Sequence, residues 1–170
     1  MTKRISVVRQ VVVAGLLLVA VAGIAAGGSL ATAPNVDGWY ADADKVPWNP
    51  PGWVFGPAWT VLYLLIAISG FLIWRRVAAA GRAWDRSLAL FVGQLALNAA
   101  WTPVFFAGYP VMGEAAWWAA LVIMAALIAC VVVIIVREIR RARTAALLFV
   151  PYLAWLVFAA TLNVGIIALN

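Results

Sequence analysis

The sequence predicts an all-α integral membrane protein, a bundle of five transmembrane helices, and three observations lead there. Hydrophobic residues fill 67% of the 170 positions and charged residues only 11%, with a mean hydropathy of +1.05. That is more apolar surface than a soluble domain of this length can bury, so lipid must be the main solvent. Apolar runs able to cross about 30 Å of hydrocarbon, roughly 20 residues each, recur along the chain. The basic residues cluster between those runs, as topology signals and anionic-lipid contacts do.

The runs lie near 8–30, 53–74, 87–107, 115–136 and 145–169, in one membrane domain spanning 1–170. The first follows "MTKR" and precedes "ATA" at 31–33, a pattern that also fits a secretory signal with an A-x-A cleavage site. Its apolar core, Val11 to Leu30, is longer than a usual signal core, and cleavage would strip one wall from a small bundle. A retained helix is expected. The second run starts at about Trp53, because Pro50, Pro51 and Gly52 cannot lie mid-helix; Pro57 falls in its first turns, a tolerable place. The third, fourth and fifth are joined by "GYPVMGE" and "REIRRAR", and the second and third by "RRVAAAGRAWDR". Connections this short make consecutive helices antiparallel neighbours. No internal repeat is visible, so an inverted-repeat transporter is not indicated.

Charge sets the orientation. Lys3, Arg4 and Arg9, then Arg75, Arg76, Arg82 and Arg86, then Arg137, Arg140, Arg141 and Arg143 share one side of a five-helix topology, leaving only Lys45 of the 12 cationic residues opposite. The positive-inside rule puts the N-terminus in the cytoplasm, with segment 31–52 and the C-terminus outside. The net charge of +6 therefore reads as topology, and nucleic acid is set aside as a partner. Cys130 is the single cysteine, so no intrachain disulfide can form, and the chain has no histidine. That removes the commonest imidazole metal and haem ligand, and no metal site is expected.

Segment 31–52 and the start of the second helix are unlike a plain connection. Within "WYADADKVPWNPPGWVFGPAWTVLY" at 39–63 stand Trp39, Trp48, Trp53 and Trp59, with Pro47, Pro50, Pro51 and Pro57. An interfacial aromatic belt accounts for such tryptophans singly but poorly for the rigid prolines. Trp59 and Tyr63, four apart, share a helix face. On the third helix Gln94 and Asn98 stack likewise, with Trp101 and Thr102 a turn on; the fifth carries Tyr152, Trp155, Thr161 and Asn163. Amides in hydrocarbon need a partner or a cavity, so Gln94, Asn98 and Asn163 should face the interior, as interhelical ties or as ligand contacts. An aromatic, amide-lined interior suits a large, flat, mostly apolar ligand. Small residues Gly93, Ala96, Ala99 and Ala100 serve either intrachain packing or a subunit contact.

Three stretches, 39–63 above, "GQLALNAAWTPVFF" and "PYLAWLVFAATLN", resemble the signatures of the translocator protein family, TspO, also called the peripheral-type benzodiazepine receptor family. The resemblance covers essentially the whole chain in order. It implies a homodimeric five-helix membrane protein that binds porphyrins such as protoporphyrin IX or haem and, in animals, cholesterol and benzodiazepine-site drugs. It further implies a role in tetrapyrrole handling and stress response, or light-dependent degradation of protoporphyrin. Carried onto this chain, the family's pocket falls on Trp39 and Tyr40 in a lid, Phe55, Gly56 and Trp59 on the second helix, Asn98 and Trp101 on the third, Leu121 on the fourth, and Trp155, Ala159 and Leu162 on the fifth. The tryptophans linked to porphyrin photochemistry match Trp59 and Trp155. Two departures stand out: Glu114 occupies a pocket position often aromatic in the family, and "TLNVGIIALN" lacks the tyrosine and basic residue of the cholesterol pattern. The second departure favours tetrapyrrole over sterol. A binder, a photo-oxidative enzyme and a porphyrin transporter are the three expectations; no hydrolytic set or Walker motif appears.

Overall fold

The computed structural model describes residues 5–170 and is an all-α bundle with five helical passages long and apolar enough to cross a membrane. The first is α1 (Val7–Val36), N-capped by Ser6, whose hydroxyl accepts from the Arg9 N–H at 3.3 Å. It runs six residues past Leu30, so "ATA" is helical and Pro34 lies in its last turn. A four-residue helix, α2 (Trp39–Asp42), follows. The 3-10 turn Gly52–Val54 then leads into α3 (Phe55–Ala79), directly after the Pro50-Pro51 pair.

The third passage combines α4 (Arg86–Thr102) with a π-helical turn, Pro103–Ala107. Proline has no N–H for the carbonyl four residues back, and the chain widens here to an i+5 bond, Gly108 N–H to Pro103 O at 2.9 Å. The short α5 (Tyr109–Met112) and Gly113, at φ +60, then reverse the chain into α6 (Glu114–Glu138). The last passage is α7 (Arg143–Leu148) continued by α8 (Val150–Leu169).

The core is built by α3, α4, α6 and α8. Ile66, Ile73, Val77, Phe91, Met124, Leu127, Val131, Phe149 and Leu156 are all buried there. Helix α4 packs on α6 and α6 on α8, as neighbours joined by short connections should. Spans two and three touch more sparsely, because α1 lies along both α3 and α4. Val21 is the one buried residue of α1, which forms an outer stave facing lipid.

The two ends of the bundle differ chemically. One holds Ile5, Gln10, Arg75, Arg76 and Arg143 around a single cavity of about 470 Å³. At the other, the C-terminal residue ties to the segment before α3: Asp44 N–H donates to Asn170 Oδ1 at 2.9 Å and Asn170 Nδ2 donates to Asp44 O at 3.0 Å.

Candidate ligand site beneath a tethered lid

Residues 37–52 fold back across the helix ends opposite the arginine-bearing end, and each anchor has a local cause. Pro110 supplies no N–H to the carbonyl of Phe106, and that oxygen accepts instead from the Trp39 indole N–H at 3.1 Å. Trp48 Nε1 donates to Thr161 Oγ1 at 3.2 Å. Val46 packs onto Gly165 so closely that a Cβ at that glycine would collide with Val46 Cγ1. Tyr40 donates to Asn49 Oδ1 at 3.3 Å, with Lys45 Nζ 4.9 Å from its ring centroid. Burial raises the Tyr40 phenol above its ordinary value, and the bond to Asn49 only partly offsets this, so the hydroxyl is protonated at neutral pH.

The aromatic residues of the lid and of the helices beneath it form two clusters. In the first, Trp39 lies 4.5 Å from Tyr109 and 5.5 Å from Trp117, while Tyr109 and Trp117 stack at 4.4 Å. Trp101 stacks on Phe105 at 5.1 Å, and the π turn sets Phe105 and Phe106 against Trp39 and Tyr40. In the second, Trp59 stacks on Tyr63 at 5.2 Å and meets Trp155 edge to face at 6.3 Å. Phe55 and Phe158 flank Trp155 at 5.9 and 5.7 Å.

Asn98 adjoins the second cluster, and both its side-chain oxygen and nitrogen are engaged in ties. Its Oδ1 accepts from Tyr63 Oη at 2.9 Å and its Nδ2 donates to Tyr152 Oη at 2.7 Å, linking α4 to α3 and α8. Several neighbouring polar atoms are not so engaged. Gln94 Nε2 and Oε1, Trp101 Nε1, Trp117 Nε1 and Asn163 Oδ1 are all buried without a hydrogen-bond partner in the fold. Such atoms are few in native structures, and each asks for a partner. Asn163 spends only its Nδ2, on Trp117 O at 3.3 Å.

The structure thus packs Trp59, Trp155 and Ala159 on one core, with Phe55 against Trp155 and Asn98 bonded to Tyr63 and Tyr152, and packs Trp39 and Tyr40 on the other, while Trp101 touches both. Leu121 is half-buried, Leu162 is buried, and Gly56 is exposed with open space around its Cα. Glu114 is exposed in the first turn of α6, outside both ring clusters. Ala96 and Ala99 are exposed, so that part of the small-residue face does not serve intrachain packing. Among the described residues no three His, Cys, Asp or Glu side chains form a metal site.

One polar cluster is not legible in the sequence, where the arginines read as topology signals and anionic-lipid contacts. Glu138 is 0% exposed. It accepts from Arg76 Nε at 3.0 Å, Arg76 Nη2 at 3.2 Å and Ser87 Oγ at 2.6 Å. Arg76 also reaches Asp85 at 2.8 Å, and the other oxygen of Asp85 caps α4 through the N–H groups of Ser87 and Leu88. Burial pushes the Asp85 carboxyl up, but Arg76 and the two backbone donors outweigh it and hold it below its ordinary 3.8. A depressed carboxylate contributes stability that is whole above its unfolded value and lost as pH falls through the folded one. Asp85→Asn keeps a capping oxygen and removes the charge. The gap in thermal midpoint between wild type and Asp85→Asn should therefore stay constant from neutral pH down to about 4 and narrow only in stronger acid. A gap that widened in acid would contradict this account.

Comparison with known proteins agrees with this architecture. Residues 15–169 match the model of the TspO/MBR family. The chain is 40% identical over 125 residues to the translocator protein of Homo sapiens, covering 74% of this chain and 70% of that one. It is 40% identical over 156 residues to the tryptophan-rich protein TspO of Archaeoglobus fulgidus, covering 90% and 94%. With the tryptophan-rich sensory protein of Cereibacter sphaeroides it shares 35% over 134 residues, 79% and 78% of the two chains. A match over nearly the full length, on a five-span, multi-pass membrane bundle of receptor-like type, places the chain in the TspO/MBR family.

Proposed function

We propose that this chain binds a porphyrin-like tetrapyrrole beneath the lid and acts as a sensor or scavenger that regulates tetrapyrrole level. The observation that supports this most is the set of unspent buried polar atoms beside aromatic walls: the indole N–H groups of Trp101 and Trp117 and the Asn163 Oδ1. A flat apolar macrocycle with carboxylate tails has faces for the rings and acceptors for the indole donors. The lid is the element that must yield for entry, since it closes the bundle end through its anchors to Phe106, Thr161, Gly165 and Asn170. By the positive-inside rule the lid faces away from the cytoplasm and the arginine-bearing end faces into it.

The side-by-side placement of Trp59 and Trp155 supports a second reading, light-driven porphyrin degradation, in which dissolved dioxygen is the oxidant that opens the excited macrocycle and the two oxidisable rings in contact supply and regain the relayed electron. A titration of protoporphyrin IX with purified protein in detergent, first dark and then illuminated, separates the two. Saturable binding without loss of absorbance supports the binder; bleaching to a defined product supports the enzyme; no saturable binding overturns both. With no histidine in the chain, free-base and iron porphyrin should bind within about tenfold of each other, roughly 1.4 kcal/mol. A larger preference for iron, read in the same titration, would contradict that expectation.

A further inference from the structure

A second cavity, of about 480 Å³, lies on the outer face of α4 and α6, away from both aromatic clusters. Its composition is polarised along the helix axes. Arg86, in the first turn of α4, and Arg137, near the end of α6, hold one end; Leu90, Gly93, Leu97, Cys130 and Val133 line the rest. No acidic side chain lines it, and neither arginine forms an ion pair among the described residues. The Arg137 Nε is buried without a hydrogen-bond partner. A buried guanidinium nitrogen is costly unless an oxygen acceptor meets it, and with the exposed Arg86 beside it this end of the trough favours an anion. The apolar end is open rather than filled: a Cβ placed at Gly93 would meet nothing within 4 Å.

From this geometry we propose that the α4/α6 trough is a binding site for an anionic phospholipid. The headgroup phosphate lies between Arg86 and Arg137, and one acyl chain runs down the trough past Gly93 and Cys130. Two charges at one end and an apolar lining along the rest match a single amphiphile better than a free anion or a neutral lipid. Guanidinium pairs at the membrane interface recognise phosphate through bidentate bonds. The arginines thus hold a particular lipid as well as marking topology.

Cys130 makes the trough measurable. It is the one cysteine in the chain, half-buried, with its thiol donating to Leu90 O at 3.4 Å, so its alkylation reports on this site alone. The full chain in neutral detergent is given phosphatidylglycerol, phosphatidylcholine or inorganic phosphate. Retained lipid is read by native mass spectrometry and Cys130 access by its rate of reaction with N-ethylmaleimide. Phosphatidylglycerol should be retained over phosphatidylcholine by at least about fivefold, what one arginine is worth at an anionic surface, and should slow alkylation; inorganic phosphate should not slow it. Arg86→Gln with Arg137→Gln should abolish the preference, while Arg140→Gln with Arg141→Gln, which removes equal charge outside the trough, should leave it intact. Gly93→Leu should displace the lipid with helix content unchanged. Equal retention of the two lipids by wild type overturns the proposal, with no variant needed. Protection of Cys130 by inorganic phosphate, or in a lipid-free particle of doubled mass, overturns it in favour of a free anion or a second copy of the chain.

Discussion

Glu138→Ala is expected to lower the stability of the folded bundle by about 3 kcal/mol, the lower end of what removing one partner of a buried ion pair costs. Glu138 accepts three hydrogen bonds from two helices at a position with no solvent exposure. Without it, Ser87 Oγ loses its acceptor and Arg76, whose side chain is 19% exposed, retains only Asp85. The cost lies at the lower end because that residual exposure lets part of the guanidinium be solvated. Glu138→Gln, which keeps an oxygen for Ser87 but not the charge, should lose less. Glu114→Ala, at an exposed carboxylate of the same helix, should stay within about 0.5 kcal/mol. Reversible unfolding in mixed detergent micelles measures all three. Equal midpoints for Glu138→Ala and Glu114→Ala would mean that the network adds nothing to the fold.

That network also marks where sequence reading stops. The five spans were legible because hydropathy and proline chemistry are local: Pro50 and Pro51 delay α3, whose 3-10 lead-in begins at Gly52, near the expected Trp53. The interior placement of Gln94, Asn98 and Asn163 was legible too, since an amide in hydrocarbon has few places to go, and all three are buried. The use of Asn98 was not, because its partners Tyr63 and Tyr152 stand 35 and 54 positions away. Arg76 and Glu138 are 62 positions apart, and nothing local in "REIRRAR" says that its one acid turns inward. The separation of Trp39 from Trp59 and Trp155 follows from the π turn at Pro103 and from the carbonyl that Pro110 leaves free. Both prolines are visible in the sequence, but their consequence depends on where α2 docks.

Trp59→Phe and Trp155→Phe are expected to keep porphyrin affinity within about tenfold, under roughly 1.4 kcal/mol, and to decide between binder and enzyme by what happens under light. Both rings are half-buried and in mutual contact, Trp59 stacked on Tyr63 and Trp155 between Phe55 and Phe158. Phenylalanine preserves the π-face and most of the apolar area, so a ring that only stacks tolerates the exchange. Neither indole nitrogen is among the buried, unpartnered atoms, so no unmet hydrogen-bond role is removed with it. A ring that gives up an electron has no such tolerance, because benzene is far harder to oxidise than indole. On the enzyme reading, light-driven loss of protoporphyrin absorbance should therefore collapse in each single variant while dark binding persists. Parallel loss of both properties, or bleaching that survives in the double variant, assigns the two tryptophans to the pocket wall and the protein to the binders. Trp117→Phe supplies the opposite control: it removes an unpartnered indole donor from the first cluster, so it should weaken dark binding of a carboxylate-bearing porphyrin more than either of the other exchanges while leaving the bleaching rate of the bound fraction unchanged.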